Sequence, residues 1–337
     1  MRKKEKNGFP GGIHPTDGYD KALTMDIPVR EFWPDQVTVL TEQSFGGKCG
    51  LQVKPNDQVK AGELIGVPEA FMAAPLHASV SGETLEVKEV SNQGRNILAC
   101  IIQCKEKPHF ETQTYEKEAV DISGLSREEI IAGIRDGGLT GMGGAGFPTH
   151  IKYKTDLPIE AVLVNGAECE PFLTCDYRLM LECPAGIING VRLMKKAARA
   201  EKAYICIEDN KPEGVKSLNA VLKDCKEAVL GREVPAGSFP AAVGAMVSNI
   251  GTAKATADMV LGKKPLDSRV VTVTGCVKDP GNFLVPVGTT AKELLELCGG
   301  ITEKHHRIIG GGPMTGPCIT YDWDGQEELF CIGKNTS

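Results

Sequence analysis

The chain has 337 residues, 41% of them hydrophobic and 24% charged, with a formal net charge of −6. That is enough for two or three domains with a sizeable core, and the acidic balance argues against nucleic acid as a partner. The opening "MRKKEK" lacks the apolar run of a signal peptide, and no stretch approaches the roughly 18 apolar residues of a membrane span. A cytoplasmic protein able to dock on a membrane complex is expected.

The first predicted elements are short strands over 36–90. "QVTVL", "LQVKPNDQVKAGELIGV" and "HASVSGETLEVKEV" alternate apolar and polar residues, and Pro55-Asn56-Asp57, Ala61-Gly62 and Ser81-Gly82 supply turns between them. A run of short strands predicts a sandwich or barrel. The spacing resembles the biotinyl/lipoyl-like barrel-sandwich hybrid. Where such carriers place a lysine at a hairpin tip, this chain has "EAFMAA", so a scaffold is expected rather than a swinging arm.

Beyond 120 the pattern turns to alternating helices and strands. "SREEIIAGIRDGG" has helical spacing, with Ser126 and Glu129 set as a capping box. "AVLVNGA" and "KAYICIED" read as strands, "PAGIINGVRLMKKAARA" and "KPEGVKSLNAVLKDCKEAVLG" as helices, which predicts an α/β domain with a mainly parallel sheet. From 268, "RVVTVTGCVKDPGNFLVPVGTTAKELLELCGGI" predicts two strands around a Pro-Gly turn. A helix capped near Thr290 and ended by Gly299-Gly300 follows. That order resembles the SLBB (soluble-ligand-binding β-grasp) domain. The tail "EELFCIGKNTS" begins like a strand and ends without a closing signal.

Twelve cysteines without an export signal predict reduced thiols rather than disulfides. Cys100 and Cys104 stand four apart, Cys169, Cys175 and Cys183 are looser, and no C-x-x-C occurs. No metal ligands and no iron–sulfur cluster are therefore expected within these residues.

The stretch richest in chemistry is "GLTGMGGAGFPTHIKY", residues 139–154. Gly141-x-Gly143-x-x-Gly146 matches the dinucleotide fingerprint literally, but the fingerprint needs a strand before it and 126–136 reads as a helix, so a standard NAD site is not expected. The glycines alone leave two readings open, a backbone cradle for a phosphate with Lys152 adding charge, or a tight turn packed on a strand. A second polar stretch, "VNGAECEPFLTCDYRLM", places Asn165, Glu168, Glu170, Asp176 and Arg178 just past the carboxyl end of a buried strand, where ligands of open α/β sheets sit. A third, "VSNIGTA", offers Asn249 and Thr252. Each polar residue could instead be a solvated turn or a helix cap, Asp176 in particular.

"GMGGAGFPTHIKY" is similar to the flavin loop of the NADH-binding subunit of respiratory complex I. "GGIHP" (11–15), "GGAGFPTH" (143–150), "NGAECEPFLTCD" (165–176), "IEDNKPE" (207–213), "GREVPAG" (231–237) and "GGGPMTGP" (310–317) together resemble the RnfC family of the Rnf ion-translocating ferredoxin:NAD oxidoreductase, in order, over nearly the whole chain. The resemblance implies a multidomain α/β fold. A barrel-sandwich hybrid would span 1–115, a Rossmann-like α/β flavin domain 120–265, and an SLBB β-grasp domain 268–337.

It further implies that FMN is held by Gly141, Gly143, Gly144, Ala145, Gly146, Phe147 and Lys152 on the phosphate side. Asn165, Glu168 and Glu170 would lie toward ribityl and ring, with Asn249 and Thr252 on the later loop. NADH is the implied substrate, and Glu168 the implied catalytic group, its negative charge facing the nicotinamide.

The implied role is electron transfer between NADH and iron–sulfur carriers through FMN, with other Rnf-type subunits as partners and ferredoxin reached indirectly. The implied location is peripheral, on the cytoplasmic side of the membrane. Two departures stand out. The family continues into a ferredoxin-like region with two 4Fe-4S clusters beyond the last residue here, and 226–235 lacks a strand and loop that helps form the family's nucleotide site. The alternative is a non-catalytic scaffold with an incomplete pocket.

Overall fold

Period-two alternation between 36 and 106 becomes two packed antiparallel sheets in the computed structural model, which describes residues 21–92, 94–107, 113–221, 240–304, 307–319, 331–334 and 336. Strands Gln36–Leu40, Arg95–Glu106, Ser81–Asn92 and Gln58–Val59 form one sheet in that order, and Cys49–Leu51, Leu64–Pro68 and Leu76–His77 form the other. Val37, Val39, Ile65, Leu76, Val80 and Ile102 meet between them as a closed core. The "EAFMAA" tip carries an exposed Phe71.

The central domain is a parallel sheet with Ala161–Asn165 in the middle, flanked by Lys202–Cys206 and Ala245–Asn249. Successive connections leave the middle strand in opposite directions, so its carboxyl end is a topological switch point. Helix Pro184–Ala198 buries Ile187, Ile188, Val191, Met194 and Ala197 on one face. It crosses helix Ile250–Gly262 so closely that a Cβ on Gly190 would drive into the Ala253 carbonyl. Helix Arg127–Asp136 starts with the expected box, the Ser126 side chain accepting from Glu129 N.

In the third domain Ser268–Val273 and Gly281–Pro286 form a hairpin, and helix Ala291–Leu297 is capped by Thr290. Gly299 and Gly300 end the helix at positive φ. Two terminal segments depart from the expected boundaries. Residues 21–31 run along the later domains rather than the barrel: Arg30–Glu31 pairs in parallel with the Gly281–Pro286 strand, and Asn282 Nδ2 donates to Thr24 O at 3.0 Å. Tyr115, assigned to the barrel by the sequence, lies in the core of the central domain. At the other end, Lys334 is 2% exposed and its ammonium donates to Pro75 O (2.6 Å) and Gly138 O (2.9 Å), joining all three domains.

Candidate functional site

The glycine loop leaves helix Arg127–Asp136 and returns into helix Thr149–Tyr153, so it follows a helix and not a strand. Its neck is closed by Gly141 N donating to Phe147 O (2.8 Å) and Thr149 N to Leu139 O (2.9 Å). Gly143 and Gly146 sit at φ of 66° and 69°, a region a side chain rarely tolerates. A Cβ on Gly144 would meet nothing within 4 Å: the tip of the loop faces open space.

That space is a cleft of about 680 Å³ at the carboxyl end of the sheet. Gly143, Gly144 and Ala145 form one wall, Asn165, Glu168, Glu170 and Asp176 the floor, and Asn249 the side. The barrel adds Gln43 and Arg95, and the β-grasp domain adds the Gly310–Pro317 loop. Three domains thus share one cavity.

The implied contacts divide into two groups. Gly143, Gly144, Ala145, Asn165, Glu168, Glu170 and Asn249 line the cleft. Gly141, Gly146, Phe147, Lys152 and Thr252 lie outside that lining and make contacts that brace the loop. Gly146 O accepts from Phe45 N at 2.9 Å, and Phe147 O closes the neck. The Lys152 ammonium donates to Val247 O at 3.2 Å, and burial pulls its pKa down. Thr252 lies inside the first turn of helix Ile250–Gly262, 1% exposed, its hydroxyl accepting from Met142 N at 3.0 Å. The "VSNIGTA" stretch is therefore a strand end and helix start rather than a loop.

Asn249 caps that helix, accepting from Gly251 N at 2.7 Å, while its amide donates to Asp176 Oδ2 at 2.6 Å. Asp176 occupies the first turn of helix Cys175–Glu182, and its N–H is satisfied by Glu168 Oε1 at 2.6 Å. Glu168 itself sits at φ of 52°. Arg178 turns away, donating to Glu182 Oε1 and to Met25 O. Glu170 is engaged by the β-grasp loop, accepting from Met314 N (2.9 Å) and the Thr315 hydroxyl. It ties that loop to the floor.

Burial and neighbouring charges act strongly on Glu168. Burial, and then the neighbouring Asp176 carboxylate, push its pKa up to about 8 against the opposing pull of Lys21 and Lys211. Asp176 is also pushed up, by burial first.

Two lysines that sequence reasoning missed hold this floor. Lys21 donates to Glu168 O (2.8 Å), Glu170 O (3.0 Å) and Leu173 O (2.5 Å). Lys211, 2% exposed, donates to Ala167 O. Lys211 falls inside "IEDNKPE", so that motif is its only signal in the sequence, and Lys21 has none. The shortened 226–235 segment, "GGIHP" and "GREVPAG" lie outside the described residues. Among the described residues no group of three or more His, Cys, Asp or Glu could hold a metal ion.

Comparison with known proteins agrees with this architecture. Residues 7–107 match the RnfC barrel sandwich hybrid domain, 134–229 the Nuo51 FMN-binding domain and 270–317 the SLBB domain. The chain is 36% identical to the C-type subunit of the proton-translocating ferredoxin:NAD(+) oxidoreductase complex of Clostridium ljungdahlii, over 91% of this chain and 72% of that protein. It is 32% identical to the Na(+)-translocating counterpart of Acetobacterium woodii, over 91% of this chain and 74% of that one. Among solved structures, an NAD+-reducing [NiFe]-hydrogenase in the air-oxidized state shares the fold, with a TM-score of 0.52 and 21% identity over 63% of this chain and 46% of that one. The chain belongs to the RnfC family, the C-type subunits of ion-translocating ferredoxin:NAD(+) oxidoreductase complexes.

Proposed function

We propose that this chain is the NADH/FMN electron-transfer subunit of an Rnf-type complex, with the three-domain cleft as its flavin site. The observation that carries the reading is the open space over Gly144 at the switch point of a sheet, within residues that match an FMN-binding domain. Three features fit FMN. The cavity has the size of ordinary cofactor sites. The loop has no side chain at Gly143 or Gly144, so a ligand can approach its backbone closely. A buried carboxyl oxygen of Glu168 has no hydrogen-bond partner.

In this reading Gly143, Gly144 and Ala145 hold the phosphate side, with Lys152 adding positive potential from behind. Asn165, Glu168 and Asn249 face the ring, and Glu170 and Thr252 keep the walls in register. When bound, FMN supplies hydride acceptance from NADH and onward single-electron transfer. The protein supplies geometry and a shielded site. No helix among the described residues is long and apolar enough to cross a membrane. We therefore propose peripheral attachment to other Rnf-type subunits on the cytoplasmic face. The iron–sulfur relay toward ferredoxin would lie in a region beyond residue 337.

FMN titration followed by flavin fluorescence tests the site. The parent is expected to bind, and Gly144→Val to lose binding while folding normally, because a Cβ at this position has no protein atom within 4 Å. Equal FMN uptake by the two proteins contradicts the assignment.

A further inference from the structure

The groups around the cleft are mostly of the wrong sign for a phosphate. Its lining carries four carboxyl groups, Glu42, Glu168, Glu170 and Asp176. Among the described residues that line it, Arg95 is the one cation. The other cations nearby are directed elsewhere. Lys21 and Lys211 donate to carbonyls between residues 167 and 173. Lys152 donates to Val247 O, and Arg269 to Thr336 O.

Arg95 opens the strand Arg95–Glu106, just past Gly94, whose φ of 71° suits the tight turn from Ser81–Asn92. Its side chain is 67% exposed at the rim, where Nη1 donates to Glu42 Oε2 at 3.2 Å. Among the described residues the guanidinium makes no other hydrogen bond. Three residues beyond Glu42, Phe45 N donates to Gly146 O at 2.9 Å. The barrel segment that bears the pair is thus fastened to the glycine loop, and the guanidinium lies on that side of the cleft.

A planar guanidinium can meet two phosphate oxygens with parallel N–H bonds, a geometry an ammonium lacks. Its partner here is a surface carboxylate, and such a pair contributes little stability. A phosphate can therefore take the place of Glu42 at small cost. With carboxyls on the rest of the lining, Arg95 is where an incoming phosphate finds opposite charge.

We infer that Arg95 is a phosphate-binding residue of the cleft, supplied by the barrel domain and paired with Glu42 until the ligand arrives. The group it holds is the phosphate monoester of FMN or the pyrophosphate of the dinucleotide, one chemistry from two sources. This rests on the reading of the cleft as the flavin site and deepens it, because it gives the barrel a part in nucleotide binding.

The test is titration of FMN, riboflavin and, at saturating FMN, NAD+ into the parent, Arg95→Ala, Arg95→Lys and Glu42→Gln, at low and high salt. Arg95→Ala should weaken the phosphate ligand about tenfold or more, and Arg95→Lys about threefold, since lysine keeps the charge and loses the fork. The salt dependence of that ligand's affinity should shrink in Arg95→Ala. Glu42→Gln should tighten the same ligand about twofold, and should do nothing in the Arg95→Ala background. Riboflavin, which has no phosphate, should bind all of them alike. Weakened FMN with unchanged riboflavin assigns the contact to the flavin phosphate. Weakened NAD+ with unchanged FMN assigns it to the dinucleotide. If Arg95→Ala leaves both FMN and NAD+ affinity unchanged, the inference is overturned while FMN binding stands. Riboflavin weakened as much as FMN also overturns it, because Arg95 would then shape the wall rather than bind phosphate. A parent that binds neither flavin sinks the reading of the cleft and the inference with it.

Discussion

The barrel-sandwich domain and the carboxyl end of the central sheet are built on opposite terms. In the barrel, Ile65, Ile102, Val37 and Leu76 close a core. Its ion pairs, such as Lys48 with Glu69 and Lys88 with Glu86, lie on the surface. At the sheet's end the charges go inside: Lys21, Glu168, Asp176 and Lys211 are all buried or nearly so, beneath a cleft that three domains keep open. The barrel spends its sequence on stability. The cleft floor holds arrangements that cost free energy and that a ligand can complete.

The contrast can be broken most sharply in the barrel. Ile65→Ala should destabilise the protein by about 3 kcal/mol through lost burial and the cavity left behind, read by denaturant unfolding. FMN affinity of the folded fraction should be unchanged. Lys21→Met should do less to stability, about 2 kcal/mol, because three carbonyls lose a charged donor. Its larger signature should be weakened FMN binding, since those carbonyls shape the cleft floor. If Lys21→Met lowers stability and spares FMN affinity, the floor is not coupled to the ligand. Arg95→Ala, which removes an exposed pair with Glu42 at the rim, should shift stability by about 0.5 kcal/mol or less.

A fourth prediction concerns pH. Glu168 has a folded pKa raised to about 8, so the folded protein binds more protons than the unfolded chain between the ordinary carboxylate range and about 8. Its contribution to stability is fully present at low pH and is lost as pH rises through about 8. The difference in melting temperature between parent and Glu168→Gln should therefore change across that window. A difference independent of pH would mean that Glu168 is ionised throughout.

Much of this is legible in the sequence for physical reasons. Strand alternation, the Ser126 and Thr290 capping boxes and the Gly299-Gly300 stop are local signals, and local chemistry settles them. The cleft-lining Gly143, Gly144, Asn165, Glu168 and Asn249 are legible too, because glycine clusters and polar residues past buried strands mark sheet-end sites. What the sequence leaves open depends on packing between distant segments. Thr252 and Lys152 carry suitable groups, but their neighbours, Met142 and Val247, already engage them. Lys21 and Lys334 act across 147 and 259 residues of chain, and no local pattern announces such a reach. The raised pKa of Glu168 is hidden from the sequence because it depends first on burial of the carboxyl and then on the Asp176 carboxylate beside it.

The most direct test of the central claim is anaerobic addition of NADH to the FMN-loaded protein, followed at the flavin absorbance band. The account predicts stoichiometric bleaching that is reversed by an added electron acceptor, and no flavin signal in the Gly144→Val protein. A fully loaded flavin that stays oxidised under excess NADH would contradict it.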